Sequence, residues 1–164
     1  CLLLPPTRTQ ASVEAWLGEG LPPGRAIRRG ALEIRAVPFV DQIDFDRLLW
    51  LGSANFVRGE DSFVRAQWAA RPFLWHIYQQ EEEAHLVKLA HFLDHYLEAL
   101  PADDGQWLRE LNLALNRGED CSELWAQWPI HGTLWQQHAR SWSQKLLADG
   151  DLVTRLVKFL ESRI

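Results

Sequence analysis

The chain has 164 residues, 47% of them hydrophobic, and its 17 Lys and Arg against 22 Asp and Glu give a net charge of −5. A chain of this length buries enough apolar surface to fold as one domain, which excludes intrinsic disorder. Its acidic balance argues against a nucleic-acid or membrane partner, since both favour clustered Lys and Arg. No apolar run reaches the roughly 18 residues of a membrane span. The two Cys residues form no C-x-x-C pair, which favours free thiols and a cytoplasmic location.

Up to about residue 80, short apolar runs alternate with helix-like stretches, which is typical of an α/β fold. The predicted strands are 1–4, 32–37, 54–57 and 73–77, and loops are predicted at 22–24 and 29–30. Predicted helices lie between them, at 12–17, up to residue 52 and at 62–70. Asp41 or Asp44 is expected to cap the second helix. This order predicts one Rossmann-like parallel sheet with helices on both faces.

From residue 81 onward, apolar residues recur at intervals of three and four, which predicts amphipathic helices and no strand. Later helices are expected at 133–147 and 151–163. Five of the nine Trp residues fall in this part at spacings typical of a core, namely Trp107, Trp125, Trp128, Trp135 and Trp142. We interpret 1–164 as one domain, with an α/β part at 1–80 and a mainly helical tail at 81–164. Because the chain has no Met and starts on an apolar run, we interpret it as a fragment.

The most informative segment is 55–68, where a strand ends, a glycine turn follows and a helix is expected to begin at Asp61 and Ser62. A helix N-terminus offers free N–H groups and a positive dipole end, both suited to phosphate, and Arg58 adds a cation. If Asp61 turns back to cap the helix, Glu60 can face a hydroxylated group, which describes a phosphate that carries a sugar. The alternative is that Ser62 or Asp61 is only a cap and that Arg58 and Glu60 form a surface ion pair.

A second candidate site lies at 38–45, again between a strand end and a helix. Phe39 and Phe45 could stack on a flat base while the amide of Gln42 reads its edge. The alternative is that both Phe side chains belong to the core.

Histidine spacing does not support a metal site. His91 and His95 lie four residues apart on a predicted helix, but no third ligand follows at a suitable spacing, so no metal is expected. His76 is expected near the same sheet edge as Arg58, as a packed side chain. Neither Cys has a basic partner in the sequence, which gives little support to a nucleophilic role.

Four segments resemble one known family. They are 46–50, 55–68, 75–78 and 84–89, and the second contains the specific string Arg-Gly-Glu-Asp-Ser-Phe-Val-Arg-Ala-Gln-Trp at 58–68. This pattern is similar to that of the EarP family of protein-arginine rhamnosyltransferases, which modify bacterial elongation factor P. The chain departs from the family pattern at Ala70, where glycine is expected, and at Gln79, where proline is expected.

The resemblance implies that 1–164 is the nucleotide-sugar-binding C-terminal domain of a GT-B glycosyltransferase that lacks its N-terminal domain. That domain would carry the general base and the acceptor site. The implied donor is dTDP-β-L-rhamnose, and the implied acceptor is an arginine of elongation factor P. Rhamnose would be transferred with inversion and without a metal. The isolated chain would be inactive, and 152–160 would expose an apolar stripe.

The resemblance also implies individual roles. Phe39 and Phe45 would pack around the thymine, with Gln42 at its edge. Glu60 would face the rhamnose and support catalysis. The pyrophosphate would be held by Arg58, Gly59, Asp61 and Ser62.

Two other functions fit the sequence. The first is the donor-binding half of a different GT-B nucleotide-sugar transferase, because the 58–62 motif does not define the sugar or the base. The second is a non-catalytic interaction module that binds a protein through the Trp-rich helices.

Overall fold

The computed structural model describes residues 1–7, 9–148 and 150–163, and the chain divides into two compact units, Cys1–Phe45 and Asp46–Ile164. We call them unit 1 and unit 2. This boundary differs from the change of secondary structure predicted near residue 81. In the described part of the chain, every regular element from Glu81 onward is helical. Within the described residues, no helix combines the length and apolar character that a membrane crossing requires.

Unit 1 contains a small mixed sheet and one helix. Its elements are β1 (Leu2–Leu4), α1 (Thr9–Leu17), β2 (Ala26–Arg29) and β3 (Leu32–Ala36), and the strand order is β1-β3-β2. β1 runs parallel to β3, whereas β2 runs antiparallel to it. Ile34 at the centre of β3 faces Leu2 on one side and Ile27 on the other. Alternating side chains of the sheet pack with α1 in a core that includes Leu4, Leu17, Leu21, Ile27, Ile34 and Ala36.

The hairpin of β2 and β3 corrects the predicted topology. A loop was predicted at 29–30 with no strand before it, but 26–29 forms a strand that ends at a two-residue turn. Gly30 adopts a positive φ of 57° in that turn, which favours glycine. Two residues are too few to connect parallel strands, which need a crossover of a dozen or more, so the strands pair antiparallel.

Helix α2 (Gln42–Leu51) starts at a side-chain cap. Asp41 is the capping residue, because its Oδ1 accepts a 2.8 Å hydrogen bond from the backbone N–H of Asp44. This settles the choice that the sequence left between two aspartates.

Unit 2 begins with a strand, helix and strand and continues with helices only. Its elements are β4 (Asn55–Val57), α3 (Glu60–Trp68), β5 (Phe73–Trp75), a 3₁₀ turn (Glu81–Glu83), α4 (Ala84–Tyr96), α5 (Ala102–Arg117), α6 (Ser122–Ala126), α7 (Trp128–Ala148) and α8 (Leu152–Glu161). β4 and β5 pair parallel, with Val57 opposite Trp75. All three residues of β5 are buried, as expected of a parallel strand covered on both faces.

Aromatic side chains dominate the interior of unit 2. The ring of Phe63 in α3 stacks on Trp75 of β5 with centroids 3.7 Å apart, and Phe92 of α4 meets Phe63 edge to face. Of the five helical Trp residues, Trp107 and Trp135 are buried, which confirms the prediction of a core role for these two. The other three are half-buried. α7 begins at Trp128 rather than at 133, because Pro129 is accommodated in its first turn.

The coarse prediction of a mixed α/β fold with parallel strand pairs is confirmed. The finer prediction of one continuous parallel sheet is wrong, since the five strands of the described residues form a three-stranded mixed sheet and a separate two-stranded parallel sheet. The strands at 1–4, 32–37, 54–57 and 73–77 were placed correctly to within two residues. Local hydrophobic patterns identify strands, but they carry no information about which strands pair.

Candidate functional site

The ends of β4 and β5 bring two polar segments together in unit 2. Arg58 follows β4, and residues 76–78 follow β5. The strands are parallel, so both segments leave from the same edge of the sheet. The backbone N–H of His76 donates to the carbonyl of Val57 at 2.9 Å. The indole Nε1 of Trp75 donates to the carbonyl of Arg58 at 3.0 Å, which holds the backbone of Arg58 in place.

Arg58 carries a charge that no carboxylate balances in the described part of the chain. Its guanidinium lies over the ring of Tyr78, with Cζ 4.7 Å from the centroid. Its buried Nε has no hydrogen-bond partner among the described residues. Glu60 pairs instead with Lys88 of α4, at 3.6 Å between Oε1 and Nζ. The proposed ion pair of Arg58 with Glu60 is therefore wrong, and a cation with free donors remains at the strand end.

Helix α3 begins one to two residues earlier than predicted, and no side chain caps it. Gly59 is the N-cap residue, with an extended conformation of φ −71° and ψ 158°. The hydroxyl of Ser62 does not accept from the helix but donates to the carbonyl of Gly59 at 2.8 Å. The first-turn N–H groups thus keep their capacity to bind an anion. A Cβ at Gly59 would lie 3.7 Å from the Ser62 hydroxyl, which is an ordinary contact.

Asp61 points along the helix rather than back over its N-terminus. Its Oδ2 accepts a 2.8 Å hydrogen bond from Nε of Arg65, one turn further on. Nη1 of Arg65 also contacts both carboxylate oxygens of Asp46, at 3.0 and 2.9 Å. Hydrogen bonds to Asp61 and then to Asp46 raise the pKa of Arg65, so its charge is secure. The expectation that Asp61 caps α3 is wrong, because Arg65 holds the carboxylate.

Glu60 occupies the first position of α3 and is largely exposed. Its side chain is 81% accessible, and its contact with Lys88 is long. A carboxylate in this position is free to meet a ligand or an acceptor group. The structure therefore allows the role expected of Glu60 without testing it.

His76 lies near Arg58 and near a second histidine, His85. Burial, the charge of Arg58 and the neighbouring His85 lower the pKa of His76, in that order of size. His76 is consequently neutral near pH 7 and adds no charge to the site. The ring Nδ1 of buried His85 accepts a hydrogen bond from the backbone N–H of Gln80 at 3.3 Å, which identifies a structural role for that ring.

The second candidate group belongs to unit 1. Phe39 is 87% exposed, so the alternative that it is a core residue is wrong. Gln42 is exposed at the first position of α2, and Phe45 is half-buried one turn later. An aromatic ring left almost fully in water is available to stack on a flat ligand. The contacts expected of Phe39, Gln42 and Phe45 remain predictions.

Two site residues were not recognised from the sequence. Tyr78 was placed at the end of a strand, but nothing in the sequence indicated that its ring would contact the guanidinium of Arg58. Asn116 of α5 is buried and makes three hydrogen bonds, two of which reach the backbone around β5. A polar residue at a core position of a predicted helix was the available signal for Asn116.

The described residues contain no group of three or more His, Cys, Asp or Glu side chains arranged to hold a metal ion. His91 and His95 are both exposed on α4. The expectation of a reaction without a metal remains a prediction.

The chain is similar over nearly its whole length to members of one family. A family profile described as "Elongation-Factor P (EF-P) rhamnosyltransferase EarP" matches residues 1–161. The protein-arginine rhamnosyltransferase of Pseudomonas putida is 48% identical over 164 residues, which are 99% of this chain and 44% of that protein. The protein of the same name from Pseudomonas aeruginosa is 46% identical over 159 residues, which are 96% of this chain and 42% of that protein.

A solved structure has the same fold. It is described as the "Structural basis for EarP-mediated arginine glycosylation of translation elongation factor EF-P". It matches this chain with a TM-score of 0.86 and 45% identity, over 99% of this chain and 52% of that one. The chain spans less than half the length of the curated relatives above. These similarities show that the chain belongs to the EarP family of EF-P rhamnosyltransferases.

Proposed function

We propose that the chain is the donor-binding part of an inverting glycosyltransferase that transfers rhamnose from dTDP-β-L-rhamnose to an arginine of elongation factor P. Membership of the EarP family supports this proposal. The observation that carries it is the unpaired guanidinium of Arg58, which lies over Tyr78 beside the uncapped N-terminus of α3. A diphosphate needs such a combination of a fixed cation and free N–H groups.

The diphosphate contacts are assigned to the turn between β4 and α3. Arg58 supplies a charged, forked donor, and Gly59 allows close approach of the backbone. The hydroxyl of Ser62 is within reach of the same turn. Asp61 would repel a diphosphate if it were free, but Arg65 offsets its charge at 2.8 Å. The carboxylate in this motif is therefore compatible with an anionic ligand.

The base of the donor is assigned to Phe39, Gln42 and Phe45. The exposed ring of Phe39 offers a stacking surface for thymine, and the Gln42 amide can both donate to and accept from its edge. Thymine differs from uracil by one methyl group, so the base alone would discriminate against UDP by no more than about 200-fold. UDP differs from dTDP also by its ribose 2′-hydroxyl.

In the proposed reaction, a guanidine nitrogen attacks the anomeric carbon of rhamnose as the bond to the diphosphate oxygen breaks. The guanidinium must lose a proton, because its pKa above 12 keeps it charged and non-nucleophilic. By resemblance, a carboxylate of an N-terminal domain accepts that proton, while Glu60 faces the rhamnose. Arg58 and the N–H groups of α3 stabilise the departing dTDP without a metal.

The remaining parts of the proposal concern partners. As the C-terminal domain of a GT-B enzyme, the chain would work with an N-terminal domain and with cytoplasmic elongation factor P. Six apolar side chains on α8 are more than 45% exposed and offer a contact for that domain: Leu152, Val153, Leu156, Val157, Phe159 and Leu160.

The test is calorimetric titration of dTDP-β-L-rhamnose, dTDP and UDP into this chain and into the complete enzyme. Arg58→Ala should weaken dTDP binding at least about tenfold, as expected for the loss of hydrogen bonds to a charged group. Phe39→Ala should weaken it as well. The control is Arg109→Ala, because Arg109 of α5 pairs with Asp94 of α4 and not with a residue of the motif.

Selective binding of thymidine nucleotides that either variant weakens supports the proposal. Equal binding of UDP would favour another nucleotide-sugar transferase. Absence of any nucleotide binding by the complete enzyme would reject a donor site and favour the interaction-module alternative.

A further inference from the structure

We propose that Asn116 of α5 is a positioning residue for the Arg58 and Tyr78 pair. This inference rests on the proposed function, because it assigns a role in donor binding to a residue that does not itself touch the donor.

The side-chain amide of Asn116 makes two hydrogen bonds with the backbone at the end of β5, as the edge of a neighbouring strand would. Its Nδ2 donates to the carbonyl of Trp75 at 2.8 Å, and its Oδ1 accepts from the N–H of Ile77 at 2.9 Å. These two backbone groups flank His76, whose own N–H pairs with Val57 of β4 on the other side. The strand end is therefore held on one side by β4 and on the other by a single side chain.

The position of Asn116 is itself well determined. The residue is only 2% exposed, and its second Nδ2 proton is donated to the carbonyl of Asn112 at 2.8 Å. All the amide donors and one acceptor lone pair are thus used. A buried amide with this degree of satisfaction has little freedom to move.

Two routes lead from Asn116 to Arg58. The first runs along the backbone, because Tyr78 follows the anchored Ile77 and its ring lies under the guanidinium of Arg58. The second runs through Trp75, whose carbonyl is bound by Asn116 and whose indole Nε1 donates to the carbonyl of Arg58. Asn116 thereby acts on both partners of the pair from a helix 39 to 41 residues away in sequence.

The physical benefit of such an anchor is preorganisation. A diphosphate site on a loose strand end would have to order that segment during binding, and the entropy cost would reduce affinity. Displacement of a binding group by about 1 Å can cost about 100-fold in an enzyme reaction. Loss of the Asn116 amide removes the partners of two backbone groups at once, so the segment should shift or loosen.

The chain offers a matched control for this residue. Asn112 lies one turn earlier on α5, is also 2% exposed, and donates only to the carbonyl of Leu108 in its own helix. Asn112→Ala thus removes a buried amide from the same helix without touching the end of β5. It leaves the backbone carbonyl that Asn116 binds.

The experiment compares Asn116→Ala with Asn112→Ala in the complete enzyme. The affinity for dTDP-β-L-rhamnose is measured by calorimetry, KM and kcat by steady-state kinetics, and Tm by thermal unfolding. Both variants should lower Tm. Only Asn116→Ala should raise Kd and KM for the donor, by about 10- to 100-fold. A purely structural role would leave donor Kd unchanged in the folded variant, or would change it equally in both, and either result would overturn the inference.

A double-mutant comparison tests whether Asn116 acts on Arg58 through Tyr78. Tyr78→Ala should weaken donor binding about two- to fivefold in the wild-type background, as expected for an exposed cation–π contact, but less in the Asn116→Ala background, because the ring is already displaced there. Fully additive effects would reject the route through Tyr78.

A further measurement does not depend on a folded variant. In the free wild-type enzyme, the backbone amide of Ile77 should exchange with solvent as slowly as core amides. Fast exchange would overturn the inference. If the wild-type enzyme binds no dTDP-rhamnose, the proposed function fails and the inference falls with it. If it binds and responds to Arg58→Ala but not to Asn116→Ala, only the inference fails.

Discussion

The guanidinium of Arg58 lies over the aromatic ring of Tyr78, with Cζ 4.7 Å from the ring centroid. These residues follow two neighbouring parallel strands, β4 and β5, and are brought together by the register of Val57 opposite Trp75. A ring supports a guanidinium through its face and leaves the N–H groups at the edge available. Tyr78 can therefore orient Arg58 without neutralising it, as a carboxylate would.

The contribution of Tyr78 can be separated into ring and hydroxyl. Tyr78→Phe keeps the ring under Arg58 and should retain dTDP affinity. Tyr78→Leu removes it and should weaken affinity about two- to fivefold, as expected for an exposed cation–π contact. Calorimetric titration of dTDP measures both. If Tyr78→Phe loses as much as Tyr78→Leu, the hydroxyl rather than the ring is the functional group.

The bridge of Arg65 to Asp61 and Asp46 predicts that Lys cannot replace Arg65. Lys keeps the charge but lacks the fork that donates through Nε and Nη1 to two different carboxylates. Arg65→Lys should therefore lower the midpoint of urea unfolding and also weaken dTDP binding, because Asp61 loses its partner. Arg109→Lys is the control, since Arg109 contacts one exposed carboxylate. Equal effects of the two changes would contradict this role of Arg65.

Ala70 is the departure from the family pattern that has a clear structural cost. It adopts a φ of +54° after the end of α3, in the left-handed region that favours glycine. Ala70→Gly should raise the free energy of unfolding by about 1 kcal/mol, because the strain of a Cβ in this region is removed. Ala69→Gly, at the neighbouring C-cap with φ −65°, should have the opposite sign. Urea unfolding of both variants gives the comparison, and destabilisation by Ala70→Gly would refute the strain.

Buried His138 predicts a loss of stability in weak acid. Burial lowers its pKa, and a hydrogen bond to the Tyr96 backbone opposes this effect. The unfolded chain then takes up a proton near the ordinary pKa of about 6.5, where the folded chain does not. The stability is fully present above that pH and decreases as the pH falls through the folded pKa.

The measurement is urea unfolding at several values between pH 7 and pH 5. His138→Asn, which removes the titratable ring, should make the decrease in unfolding free energy smaller than in the wild type. The lowered pKa of His76 acts in the same direction and remains in the variant. An unchanged pH dependence would show that His138 is not a proton-linked group.

The sequence predicts those features of the candidate site that depend on neighbouring residues, and it does not predict those that depend on contacts between segments distant in sequence. Arg58 and the start of α3 were placed within two residues, because strand ends and helix starts follow local patterns. The orientation of Asp61 was predicted wrongly, since it depends on Arg65, which itself is fixed by Asp46 from another helix. The exposure of Phe39 was not predictable either, because an aromatic residue near a strand is more often buried.

The sequence by itself determined most elements of this protein: four of the five strands among the described residues, the amphipathic helices and the motif at 58–68. These depend on residues within about one helical turn of each other or on the periodicity of apolar side chains. Tertiary structure decided the antiparallel hairpin of unit 1, the cation–π contact of Arg58 with Tyr78, and the hydrogen bonds of Asn116 to the end of β5. The physical reason is that an unbalanced cation or a buried amide receives its partner from a distant segment, and strand pairing and helix packing determine which segment that is.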